Sequence, residues 1–176
     1  MNPLINTSYF SEAAQHKLKY GHYTKAPFGS HDYNQYWEEQ DKRCLHGYTV
    51  GGTRITGYHY WFLNFKQLEI VVDPNAKASM KEQGPPRFWG QHYEFFHALE
   101  EAEKEGKHCV ILKPRGTGFS EIMSSIATCD YTLIPKSKNF FFASNQGYLN
   151  KDGVLTKCWD HLEFLNSETD RAYLHL

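Results

Sequence analysis

The apolar positions of this chain follow two rhythms, and each predicts a different kind of structure. Over the first half they recur at spacings of three and four. Phe10, Ala13, Ala14 and Leu18 mark a helix over Ser8–Tyr20, closed by Gly21. Tyr33, Tyr36, Trp37, Gln40 and Cys44 mark a second over Asp32–His46, closed by Gly47. Between them, Lys25–Ser30 reads as a turn. The Gly51-Gly52 pair sits between β-branched residues and predicts a tight turn joining two short extended pieces. Thr56 is placed to cap a short helix carrying Tyr60, Trp61, Leu63 and Asn64. Leu68–Val72 reads as a buried strand. The turn and breaker residues of 73–86 then predict a loop, which divides the chain into 1–86 and 87–176.

The second half alternates helical and extended segments. Gln91–Glu105 predicts a helix with Phe95, Phe96, Leu99 and Ala102 on one face, ended by Gly106. His108–Leu112 is a short apolar strand, and a Gly-rich turn follows at 113–119. Ser120–Leu133 is a helix with Ile122, Ile126, Cys129 and Leu133 aligned. Asn139–Ala143 is a second apolar strand, and residues 151–165 form a last helix with Leu155, Trp159, Leu162 and Leu165 on one side. Helix–strand–loop–helix–strand–helix predicts an α/β domain with a parallel sheet. Two strands are too few for such a sheet, which is buried on both faces, so the order implies a fragment of a longer domain.

Composition narrows the class. At 176 residues the chain can hold one domain with a real core and a small appendage. Its 40% hydrophobic and 22% charged residues place it among soluble globular chains. A net charge of −1 excludes the basic field of a protein that coats DNA, while leaving room for contact through local loops. Cys44, Cys109, Cys129 and Cys158 show no C-x-x-C spacing, so they read as buried free thiols rather than a zinc site or disulfide framework. The start lacks a signal peptide, and runs such as Tyr60–Leu63 and Phe140–Ala143 are too short to span a bilayer. The ten histidines fall in no metal-binding frame. Glu38-Glu39 reads as a solvated face, and Asp73 as part of a turn.

One segment carries candidate chemistry: Lys113-Pro-Arg-Gly-Thr-Gly-Phe-Ser120. A phosphate-binding loop reads G-x-x-x-x-G-K-[ST], in which backbone N–H groups cradle phosphate oxygens at a helix N-terminus and the hydroxyl binds Mg²⁺. Gly118 and Ser120 match the late glycine and the hydroxyl. Phe119 stands in place of the lysine, and Lys113 in place of the first glycine. The cation has moved to the mouth of the loop, where its flexible stem can still reach phosphates. Gly116 and Gly118 permit torsions that bulkier residues resist.

With lysine first and an aromatic before the serine, this loop resembles the deviant form found in large subunits of tailed-phage terminases, the ATPases of DNA-packaging motors. Tyr36–Gln40, Arg43–Tyr48 and Ile55–Asn64 are similar to the segment that precedes the motor domain in that family. The resemblance covers roughly residues 30–166. It implies the start of a P-loop ATPase of the ASCE type: an incomplete parallel sheet flanked by helices, preceded by a mostly helical N-terminal region. It also implies that Lys113 and the backbone of Arg115, Gly116, Thr117, Gly118, Phe119 and Ser120 grip ATP. Ser120 would bind Mg²⁺, and Arg115 would stabilise charge on the transferred phosphoryl group. Gln91 would read adenine.

Partners implied by the family are double-stranded DNA, the portal protein, the small terminase subunit and further copies in a ring. The implied location is host cytoplasm, with transient docking on the procapsid. The acidic pair that completes ATP hydrolysis and the nuclease domain are expected downstream, so this stretch alone is expected to be inactive. The rival readings are another ATPase such as a helicase, which Phe119 disfavours, and a non-catalytic binding module with a structural Gly-rich turn.

Overall fold

A computed structural model describes residues 6–71, 81–114, 116–151 and 153–169. The chain starts with a 3-10 turn, Thr7–Ser11, running into helix α1, Glu12–Tyr20. Gly21 ends α1 in the left-handed conformation. Phe10, Ala13 and Ala14 are buried as their spacing predicts, but Leu18 is exposed. Helix α2, His31–His46, is capped by the Ser30 side chain and ended by Gly47, and it buries Tyr33, Trp37, Gln40 and Cys44. A hairpin follows, β1 (Tyr48–Val50) and β2 (Thr53–Ile55), antiparallel about Gly51-Gly52. Both glycines have positive φ, as a two-residue hairpin turn requires.

Helix α3, Gly57–Phe65, is the centre of the molecule. Thr56 caps it by accepting from the His59 N–H, and all nine of its residues are buried except the partly buried Tyr58. Its own Cα packing is close: a Cβ on Gly57 would lie 2.0 Å from the Cys44 carbonyl oxygen, so only glycine lets α3 meet the end of α2. Helix α4 (Gly90–Lys104), helix α5 (Phe119–Leu133), the short α6 (Gln146–Asn150) and α7 (Val154–Thr169) complete the chain. The most extensive packing is α5 along α7, with α3 against both α2 and α5. One hydrophobic cluster runs from Phe10 to Leu165.

The expected parallel sheet is not found among the described residues. The described residues hold two antiparallel pairs only: the β1–β2 hairpin, and β3 (Leu68–Val71) with β4 (Lys81–Gly84). The described residues therefore do not show the expected P-loop NTPase fold. His108–Leu112 and Asn139–Ala143, expected as its strands, join no ladder. Val110 and Leu112 are 90% and 98% exposed, and Phe140 and Phe142 are 76% and 94% exposed. The physical reason is pairing. A central parallel strand needs a neighbour on each side and cover on both faces, and here β3 and β4 satisfy each other instead. β3 is in consequence only partly buried, and β4 falls within the stretch read as loop.

The last helix also differs from its expected face. It buries Cys158, His161, Leu162 and Leu165, while Trp159 is half-exposed. Of the four cysteines, Cys109 is exposed and the other three are buried. Asp73 lies outside the described residues.

Candidate phosphate-binding site

The Gly-rich turn keeps half of its expected context. No ladder strand enters it, but it opens directly into α5. Gly116 and Gly118 have φ of 80° and 68°, both left-handed. A Cβ at either position would meet nothing within 4 Å. These glycines are thus not required by packing. They serve the torsions of the turn, and they leave the backbone open to close approach. The Thr117 hydroxyl donates to the Pro114 carbonyl at 3.4 Å, tying the turn to itself.

Gly118 is the N-cap of α5, and no side chain caps this end. Its carbonyl accepts from Glu121 at 2.9 Å and Ile122 at 3.2 Å, so the helix ladder starts here. Among the described residues no side chain accepts from the N–H groups at the start of the helix, and the helix's positive end points the same way.

The two departures from the ordinary loop meet in space. The Lys113 ammonium lies 5.9 Å from the centroid of the Phe119 ring, at the outer limit of a cation–π contact. Phe119 in turn packs edge-on to Phe95 of α4 at 5.4 Å. The aromatic that replaces the usual lysine anchors α5 and offers a seat to the relocated lysine.

Behind the turn lies a cleft of about 1140 Å³. Gly116, Thr117, Gly118 and Glu121 form one wall, and the rest comes from α1, the end of α3 and the residues after it, β3, Gln83, the 85–92 segment, Lys151 and α7. Five cations line it, Lys17, Lys66, Arg87, Lys151 and Lys157, against four carboxylates, Glu69, Glu121, Asp160 and Glu168. Trp89 lines it too, half-exposed, with one face stacked on His92 at 5.2 Å and 24°. Such a ring presents an apolar surface to a flat ligand.

At the floor is a charged junction. Lys66, immediately after α3, is only 3% exposed at its side chain. Its ammonium pairs with Glu121 at 3.1 Å and donates to Ser124 Oγ at 3.2 Å and the Lys157 carbonyl at 3.3 Å. Glu121 also pairs with Lys157 of α7, which is 32% exposed. Burial pulls Lys66 below the ordinary lysine range, and Glu121 opposes that shift. Beside it, fully buried His161 bridges Thr128 Oγ1 at 2.7 Å and the Phe65 carbonyl at 2.8 Å.

Of the residues singled out in the sequence, Gly116, Thr117 and Gly118 line the cleft. Lys113 and Ser120 are exposed beside it, outside its lining, and Gln91 is exposed on the first turn of α4, also outside it. Arg115 lies outside the described residues. Lys66, Lys157, Glu121 and Trp89 were missed. Lys66 follows a mostly apolar helix, and that placement was the available clue, since a lysine there must find a partner. Among the described residues no group of three or more His, Cys, Asp or Glu side chains could hold a metal ion.

Compared with known proteins, the chain matches no family model, no curated protein and no solved structure.

Proposed function

We propose that the cleft binds the polyphosphate of a nucleoside triphosphate, and that the chain is the ATP-binding part of a motor that drives viral double-stranded DNA into procapsids. One observation carries the first statement: two left-handed glycines, unneeded for packing, lead into an uncapped helix start at the wall of a cleft large enough for a nucleotide. The deviant loop, with Lys113 set over Phe119, supports the second through its resemblance to packaging ATPases.

In this reading the 116–118 backbone and the first turn of α5 receive the phosphates. Lys113 reaches them from the outer side, and Ser120 contacts Mg²⁺. Arg115 would stabilise charge on the transferred group. Trp89 stacks on the base, and Gln91 reads its edge. The packaging partners would be the portal protein, the small terminase subunit and further copies in a ring. No helix among the described residues is long and apolar enough to cross a membrane.

Titration calorimetry of the 176-residue chain with MgATP and with inorganic tripolyphosphate tests this. Both ligands should bind. Trp89→Ala should weaken ATP about tenfold, the loss of one stacking contact, and leave tripolyphosphate unchanged. Lys113→Ala should weaken both. Absence of binding by either ligand would favour the rival in which the turn is structural, a reading favoured by the missing ladder at 108–112.

A further inference from the structure

The junction of Lys66, Glu121 and Lys157 joins three helical elements at the wall of the cleft, and its three members are unequally exposed. Lys66 is 3% exposed, Glu121 24% and Lys157 32%. The buried ammonium has three partners, on α5 and α7. It is fixed. Lys157 pairs with Glu121 from the open side and is free to swing into the cleft on its four-carbon stem. Glu121 itself stands one residue beyond Ser120, in the first turn of α5. It is an anion placed where an anionic ligand would come.

We propose that Glu121 is a resident competitor for the phosphate of the ligand: it holds Lys157 while the cleft is empty, and an incoming polyphosphate takes Lys157 from it. Lys157 is then a direct phosphate ligand. Lys66 is a positioning residue that keeps Glu121 neutralised at the floor once Lys157 has left. Without Lys66, Glu121 would face the polyphosphate uncompensated, and like charges at such range repel strongly in a partly dry cleft. The exchange needs no rearrangement of the backbone, because the Lys66 contacts to Ser124 and to the Lys157 carbonyl do not involve the Lys157 ammonium.

This rests on the nucleotide reading above, and calorimetry with tripolyphosphate separates the two. Glu121→Gln should tighten binding, and Lys157→Met should loosen it, each about fivefold for one charge near a surface. Lys66→Met should also loosen it. The double variant Lys66→Met with Glu121→Gln should return to the wild-type value or better, a rescue that a merely structural role for Lys66 would not produce. Should Lys66→Met fail to fold, the Glu121 and Lys157 variants decide by themselves, with thermal melts to verify their folding. If wild type binds neither tripolyphosphate nor MgATP, both readings fall. If wild type binds and Glu121→Gln leaves affinity unchanged, only the competitor falls. If Glu121→Gln weakens MgATP but not metal-free tripolyphosphate, Glu121 is a metal ligand and the competitor is again overturned.

Discussion

At the scale of single residues, His59 is the most exacting position in the core. It is fully buried on α3, and neither ring nitrogen has a hydrogen-bond partner among the described residues. The imidazole is used as a flat aromatic, stacked with Phe88 at 5.2 Å and with Phe96 at 4.8 Å. Burial, with His92 and His97 nearby, pushes its pKa down to about 3. The sign follows directly. Above the ordinary histidine range both folded and unfolded chains carry it neutral. Below pH 6.5 the unfolded chain takes up a proton that the folded chain refuses, so stability falls as pH drops toward 3. Fully buried His161 is shifted the same way and adds to the slope. Urea unfolding from pH 7 to pH 4 should show this loss, at up to about 1.4 kcal/mol per pH unit for each such histidine. His59→Phe should flatten the curve and hold or raise stability at pH 7, since it removes two unsatisfied buried nitrogens. An unchanged slope would show that His59 finds a proton-accepting route.

At the scale of elements, Asn64 explains how α1 is attached. The N-cap Ser11 makes no side-chain cap. Instead the carboxamide oxygen of Asn64, from the far end of α3, accepts from the Ala13 and Ala14 N–H groups at 3.1 and 3.2 Å. Its nitrogen donates to the carbonyls of Phe10 and Tyr60 at 2.8 and 2.9 Å. One side chain thus caps one helix and continues another, in a fully buried site. Asn64→Leu should cost about 3 kcal/mol or more, because several buried backbone groups lose partners at once, read as a lowered urea midpoint. Asn64→Asp keeps the two accepted bonds but loses the donors, and should fall between.

The elements also show what the sequence could and could not disclose. Helices α2, α3 and α5 were legible, because apolar positions spaced by three and four, with Gly47 after α2 and Thr56 ahead of α3, have one meaning. The 108–112 and 139–143 runs were not. Their apolar character is local, whereas pairing is decided by what lies alongside, and no residue within His108–Leu112 encodes its neighbour. In the same way the glycine turn of the site was readable from its spacing. The cleft around it was not, because Lys66, Trp89 and Lys157 converge from three distant parts of the chain. For α7 the difference is one of phase: spacing aligns Trp159 with Leu155, Leu162 and Leu165, but polar partners on α5 hold Cys158 and His161 inward instead.

At the scale of the whole molecule, the unpaired apolar runs leave a sticky surface. Val110, Leu112, Phe140 and Phe142 stand outward on segments with no ladder, and unpaired backbone beside exposed apolar side chains is a template for association. Light scattering should therefore rise steeply with protein concentration. Leu112→Lys with Phe142→Lys should suppress it while leaving the unfolding midpoint within about 0.5 kcal/mol of wild type, as befits exposed positions. A large destabilisation would mean that these side chains are supported in the folded chain after all.

The stacked pair Trp89 and His92 has a practical consequence. The other three indoles are at Trp37 and Trp61, both buried, and at Trp159 on α7, which does not line the cleft. Trp89 alone combines exposure with a place on its wall. The molecule therefore carries its own optical reporter. Emission quenched by ligand in wild type, and left unquenched in Trp89→Phe, would register occupancy of this cleft without any label.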